Sequence, residues 1–177
     1  MRLFLFGGAG VGKTTLARLI ANRLSAPCFD LDDFFHVPTD PPYQKSRSPE
    51  ARVALANELF LPRADWVLSG NLRSWSLPVA EAADHAVLLV LKPEARLARL
   101  RVRETARFGD RIAPGGDMHD THLAFMDRAM HYDDPQVPEA SRAAHEALLA
   151  QLPGQGHIVN ADAAPEALVD AVLAACR

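Results

Sequence analysis

The run Gly7-Gly8-Ala9-Gly10-Val11-Gly12-Lys13-Thr14 satisfies G-x-x-x-x-G-K-[ST] at every fixed position. That pattern builds a loop whose backbone N–H groups converge on phosphate oxygens. The flanks agree with it. Leu3-Phe4-Leu5-Phe6 suits a buried strand, and Thr15–Leu24 carries Leu16, Leu19, Ile20 and Leu24 on one helical face. Strand, glycine loop and helix follow in the order a phosphate site needs, and the helix start adds partial positive charge. Lys13 is expected to reach the β- and γ-phosphates of ATP, and the Thr14 hydroxyl to hold Mg²⁺. Gly7 to Thr14, with Thr15 behind them, form the expected nucleotide-binding set.

Five strands are predicted, at Arg2–Phe6, Ala26–Leu31, Trp66–Ser69, His85–Leu91 and His157–Asn160. Helical patterns follow the glycine loop and recur at about Pro49–Leu61, from Pro93, and at His119–Tyr132, Glu139–Leu152 and Pro165–Cys176. The second carries an apolar stripe of Val53, Leu55, Leu59 and Phe60. Alternating strands and helices imply an α/β fold with a parallel sheet covered on both faces. Two irregular stretches, Val37–Ser48 and Arg107–Asp117, read as binding loops or lids.

The acidic run Phe29-Asp30-Leu31-Asp32-Asp33 closes the second strand, beside the end of the first. Ligands bind at the carboxyl ends of strands in open α/β sheets. Phosphoryl transfer needs a group to orient or deprotonate the attacking hydroxyl and a carboxylate near Mg²⁺. Asp32 is the expected base and Mg²⁺ partner, with Asp30 and Asp33 as second choices for metal and substrate. The third strand ends in Ser69-Gly70-Asn71 rather than in the metal-binding Asp of a motor ATPase. Gly70 permits close approach of a ligand, and Asn71 and Arg73 are candidate acceptor contacts.

Between Arg96 and Arg111 there are six arginines against Glu104 and Asp110, in a chain with three lysines. Arginine grips phosphate bidentately. A glycine-flanked arginine segment reads as a lid whose Arg103, Arg107 and Arg111 neutralise the transferring phosphoryl and shut out water. Arg96 and Arg99 lie early for that role.

Net charge is −3, which argues against a general nucleic-acid partner. No apolar run reaches membrane-span length, and the first residues do not read as a secretory signal. Cys28 and Cys176 belong to no metal or redox spacing, and a reducing cytoplasm is the expected setting. His119 and His122 lack a third ligand at metal spacing. Tyr43 and Trp75 either stack on a ligand or pack.

Taken together, Gly7–Thr14, Asp32-Asp33-Phe34-Phe35, the Gly-containing third strand end and the arginine lid resemble the nucleoside and nucleotide kinases of the P-loop class. The Asp-x-Phe-Phe element is similar to that of uridine kinases and nicotinamide riboside kinases. Trp66–Asn71 also resembles the adenylate-kinase-like topology-modulation proteins. The resemblance implies a three-layer α/β/α P-loop NTPase fold with a five-stranded parallel sheet in order 2-3-1-4-5. It also implies Mg·ATP as donor and Asp32 as general base. Residues 1–177 are expected to form one kinase domain, a monomer or homodimer, with a lid at about 103–117. The expected reaction is transfer of the γ-phosphoryl group to a small metabolite. A nucleoside-like hydroxyl is the first choice of acceptor and a nucleoside monophosphate the second, the latter served by Arg47, Arg52 and Arg73. A nucleotide-binding regulatory ATPase is the competing class.

Overall fold

The computed structural model describes residues 1–177. The strands are β1 (Arg2–Gly7), β2 (Cys28–Asp30), β3 (Trp66–Gly70), β4 (His85–Val90) and β5 (Gln155–Asn160). The helices are α1 (Lys13–Leu24), α2 (Leu31–Phe35), α3 (Pro49–Leu59), α4 (Leu77–Ala80), α5 (Pro93–Phe108), α6 (His119–Met130), α7 (Arg142–Leu149) and α8 (Pro165–Ala175). All strand pairings are parallel, in the order β2-β3-β1-β4-β5. This is the expected three-layer P-loop architecture, and β1 at its centre delivers the glycine loop.

Strand alternation divides the core in two. Leu3, Leu5, Val67, Val87 and Leu89 face α1 and α8, where Leu16, Ile20, Val169 and Val172 meet them. Phe4, Phe6, Leu68 and Leu88 face the other way, onto Leu31, Ala56, Phe60, Val79 and Leu149. Both faces of the sheet are therefore apolar, as a parallel sheet buried between helices requires.

Two elements differ from the sequence expectation near the site. β2 spans only three residues, and the acidic run beyond it is helical rather than a strand end. The Asp30 side chain accepts a hydrogen bond from the Asp32 N–H and caps α2, while Leu31 and Phe34 turn inward. In α3 the buried face is Arg52 and Ala56, continued by Phe60, and Leu59 is 45% exposed. An arginine thus occupies a place that the predicted apolar stripe had given to Leu55 and Leu59.

A buried relay braces the loop from the sheet's helical flank. The Tyr132 ring packs on Gly8, and its hydroxyl meets His145 Nδ1 at 2.9 Å. His145 Nε2 lies 3.1 Å from the Leu72 carbonyl, so Nε2 donates there and Nδ1 accepts from Tyr132. Burial, assisted by the Lys13 charge, holds His145 down at about 4, against an ordinary value of 6.5. The unfolded chain therefore takes up this proton first as pH drops. Stability conferred by the neutral imidazole is intact above pH 6.5 and is lost on the way down to pH 4. The loss is up to about 3 kcal/mol. Urea unfolding at pH 7 and pH 5 should show it, and His145→Gln should flatten the slope. An equal slope in that variant would assign the acid sensitivity elsewhere.

Candidate functional site

The glycine loop leaves β1 at its carboxyl end and enters α1 directly. Gly10 has φ 83° and packs against the Arg96 carbonyl, where a Cβ would collide. Lys13 Nζ donates to the Gly7 and Gly8 carbonyls, each at 3.0 Å. The ammonium is thus folded into the loop that its own backbone encloses. Burial lowers its pKa to about 8, with Asp32 and Asp30 opposing and Arg103 and Arg96 assisting. Anionic phosphate in the loop would give this charge its missing partner. Thr15 is exposed on the first turn of α1.

The carboxylate that meets Thr14 is Asp30 rather than Asp32. Asp30 Oδ2 accepts from Thr14 Oγ1 at 2.8 Å and from Ser69 Oγ at 3.0 Å. Two strand ends and the start of α1 therefore converge on one carboxylate and two hydroxyls, and a cavity of about 90 Å³ opens beside them. A hydroxyl paired with a carboxylate is the oxygen donor set that a hard divalent cation takes.

Asp32, in the first turn of α2, stands free of hydrogen-bond partners through its side chain, and its charge acts on Lys13. Its side chain reaches into the concave mouth, so it is ringed by protein yet open to solvent. Crowding by protein and the Asp30 charge raise its pKa, with Lys13 and His36 pulling the other way. Asp33, exposed on α2, lines the same cavity as Thr14 and Asp30, with Arg18 and Arg47 acting on it.

A second charged group lies near His36, on which Asp32 also acts. Arg52, 7% exposed, stacks over the Phe35 ring at 3.7 Å and lies 5.1 Å from the Trp75 ring. Its Nε has no hydrogen-bond partner, and it forms no ion pair. Burial and the nearby Arg73 charge both lower its proton affinity. Arg52 and Arg73 also act together on His36, lowering its pKa, while the Asp32 charge opposes them. Asn71 Oδ1 is buried here without a partner. Gly70 sits against the Leu31 side chain, where a Cβ would displace α2 from β3. Its role in the structure is packing rather than ligand approach. Arg47 is already engaged, donating to the Asp33, Phe34 and His36 carbonyls that end α2. Trp75 and Phe35 form the floor under Arg52. A further cavity, about 280 Å³, borders Arg73 and is lined by Leu72, Leu77, Ala144 and Leu148 together with Ser74 and Glu139.

The arginines of α5 separate into roles. Arg96, 1% exposed, is a brace: it donates to the Ala9 and Ala129 carbonyls and pairs with Asp133. Arg99 donates to the Val11 carbonyl at 3.4 Å. Arg103 is half exposed, pairs with Glu104 at 2.8 Å and acts on Lys13. Arg107 lies over Tyr43 at 5.5 Å. Arg111 is tied to Asp117 at 2.7 Å and to Asp40 at 2.9 Å. Arg111 thus joins the 107–117 segment to the 37–48 loop and keeps its charge neutralised, some way from the phosphate loop. Arg103 and Arg107 remain the two that line the mouth.

Residues 3–37 match the family profile described as ATPase family associated with various cellular activities (AAA). That span is β1, the glycine loop, α1, β2 and α2, and it leaves the acceptor side unmatched. Over 171 residues the sequence is 30% identical to a Bacillus subtilis (strain 168) protein described as uncharacterized protein YqaC, covering 97% of this chain and 94% of that one. The chain belongs to the YqaC family. Among solved structures, it is similar to shikimate kinase from Bacteroides thetaiotaomicron, with a TM-score of 0.61 and 21% identity over 98% of this chain and 97% of that one. A gluconokinase from Sinorhizobium meliloti 1021 gives a TM-score of 0.56 and 17% identity over 99% and 90%. At such identities the likeness speaks for the fold: this YqaC-family chain has the P-loop kinase architecture along its whole length. No helix in it is long and apolar enough to cross a membrane.

Of the residues that the sequence pattern names, Lys13 feels the charges of Asp32 and Arg103, Thr14 meets Asp30, and Arg73 and Asp32 both act on His36. The pattern places Asp30 second and weighs Arg52 only as an extra contact. The signal for Asp30 was its position two residues before Asp32, where the strand ends. For Arg52 it was the i,i+4 row Arg52, Ala56, Phe60.

Proposed function

We propose that this YqaC-family protein is a small-molecule kinase. It transfers the γ-phosphoryl group of Mg·ATP to a hydroxyl of a metabolite that also carries a carboxylate or phosphate. The observation that carries the reading is Arg52, buried with its Nε unpartnered and with no ion pair, beside Arg73 and close to His36, on which Asp32 also acts. A buried guanidinium without a counter-ion is costly, and an anionic ligand offsets that cost. A neutral nucleoside would leave it uncompensated, so the arginine pair favours an anionic acceptor, nucleoside monophosphates included. A regulatory ATPase would have no use for a prepared acceptor side.

In this reading the loop N–H groups and Lys13 hold the donor phosphates. Thr14 with Asp30 would hold Mg²⁺, which neutralises charge on the β- and γ-phosphates when bound. Asp32 orients the acceptor hydroxyl and takes its proton, helped by a raised pKa. Arg103 and Arg107 face the developing charge, and residues 103–117 serve as the lid that excludes water. Positioning and electrostatics supply the acceleration.

The test is ADP release across paired compounds that differ only in a phosphate or carboxylate, with wild type and Arg52→Met. A charge-assisted hydrogen bond contributes about 1.5–3 kcal/mol, so the variant should raise the acceptor KM roughly 10- to 100-fold. KM for ATP should stay unchanged. Equal use of neutral and anionic partners, or an unmoved KM in Arg52→Met, would contradict the anionic acceptor.

A further inference from the structure

A second constellation lies at the other end of the sheet, away from the phosphate loop. His85 opens β4, and His157 stands on β5 opposite Val87. Both side chains share the sheet face of Val87 and Val159, which is the face covered by α8. Cys176 caps the end of α8 and is buried at 9% exposure. The His85 Nδ1 to His157 Nε2 distance is 3.3 Å, and these nitrogens and Cys176 Sγ all lie within 4.8 Å of one another.

From this geometry we infer a binding site for a soft or borderline transition-metal ion, zinc being the best match, at His85, His157 and Cys176. Two nitrogens at about 2.0–2.1 Å from a tetrahedral ion stand about 3.3 Å apart, which is the spacing of the two imidazoles. The donor set is thiolate and imidazole with no carboxylate. It therefore selects Zn²⁺ or Co²⁺ over Mg²⁺, the ion that the oxygen donors Thr14 and Asp30 suit. A hydrogen bond between the two imidazoles accounts for their contact but not for a thiol aimed at the same point. Three protein ligands leave a fourth tetrahedral position open to water.

The ligands come from three elements far apart in the chain, so the ion would clip the end of α8 to the sheet edge. β5 is the edge strand there, with β4 as its single neighbour. The site is remote from the glycine loop, so its effect is on stability and not on phosphoryl transfer. It holds or fails independently of the kinase reading.

The experiment uses the whole chain, freed of metal and titrated with Co²⁺ and then Zn²⁺, reading the thiolate–Co²⁺ charge-transfer band, stoichiometry and melting temperature. Expected are one equivalent per chain, displacement of Co²⁺ by Zn²⁺ and a rise in melting temperature with zinc. Cys176→Ser and His157→Gln should weaken zinc binding at least ~10-fold. Cys28→Ser, whose thiol is exposed on β2, should leave binding unchanged. Melting of each metal-free variant establishes that it is folded, and His157→Gln carries the test if Cys176→Ser does not fold. Absence of the thiolate band in wild type, its persistence in Cys176→Ser, or a zinc-induced rise in melting temperature that both variants keep would overturn the site.

Discussion

Lys13→Ala is expected to lower turnover on the order of 10³-fold or more, since it removes the one ammonium aimed at the transferring phosphoryl. The structure explains why loss of this single group should be so large. Lys13 Nζ is already held at the Gly7 and Gly8 carbonyls, and burial has brought its pKa down to about 8. It waits as a desolvated donor with no anionic partner in contact, so phosphate gains its full charge without much reorganisation. Binding should therefore take up a proton above pH 8, where part of the Lys13 population is neutral. Calorimetry in buffers of different ionisation enthalpy would detect that uptake, and Lys13→Ala should abolish it. Wild-type turnover in the variant would remove the loop from the chemistry. Because Lys13 contacts only loop carbonyls, the fold itself should survive the substitution.

Asp32→Asn is expected to spare ATP binding and to cut kcat about 10²- to 10⁴-fold, the usual worth of a positioned base. The pH profile separates this from a structural effect. The raised Asp32 pKa predicts that wild-type kcat/KM falls as pH drops through a value above the ordinary 3.8, because the protonated carboxyl cannot accept the hydroxyl proton. That acid limb should vanish in Asp32→Asn. Asp30→Asn should behave differently. Its amide oxygen still accepts from Thr14 and Ser69 but the negative charge is gone, so its main effect should be a higher Mg²⁺ requirement. An acid limb retained in Asp32→Asn but lost in Asp30→Asn would exchange the two roles.

Much of this was legible in the residues because the informative parts are local. The glycine loop, its flanking strand and helix, and the alternation of strands and helices all lie within short windows, and β1 to β5 appear where apolar runs predicted them. What stayed hidden depends on contacts across the chain. The capping of α2 by Asp30 looks like an acidic strand end until its side chain is seen to accept the Asp32 N–H. Arg52 reads as one of three candidate acceptor contacts, and its burial is not legible because the Phe35 and Trp75 rings it packs on come from two other elements. Arg96 lies too early in the arginine row to serve the lid, and tertiary packing makes it a brace for Ala9. The His85, His157 and Cys176 trio has no motif spacing, since strand register and a helix end bring it together.

The central claim is that the loop and the acceptor side act on one phosphoryl group. Incubating the protein with γ-labelled ATP, Mg²⁺ and a fractionated bacterial metabolite extract, and resolving the labelled products, tests it most directly. The account predicts label in an organic phosphate ester from the anionic fraction, in amounts that Asp32→Asn abolishes. Label that passes to inorganic phosphate alone, at the same rate whatever fraction is added, would contradict it.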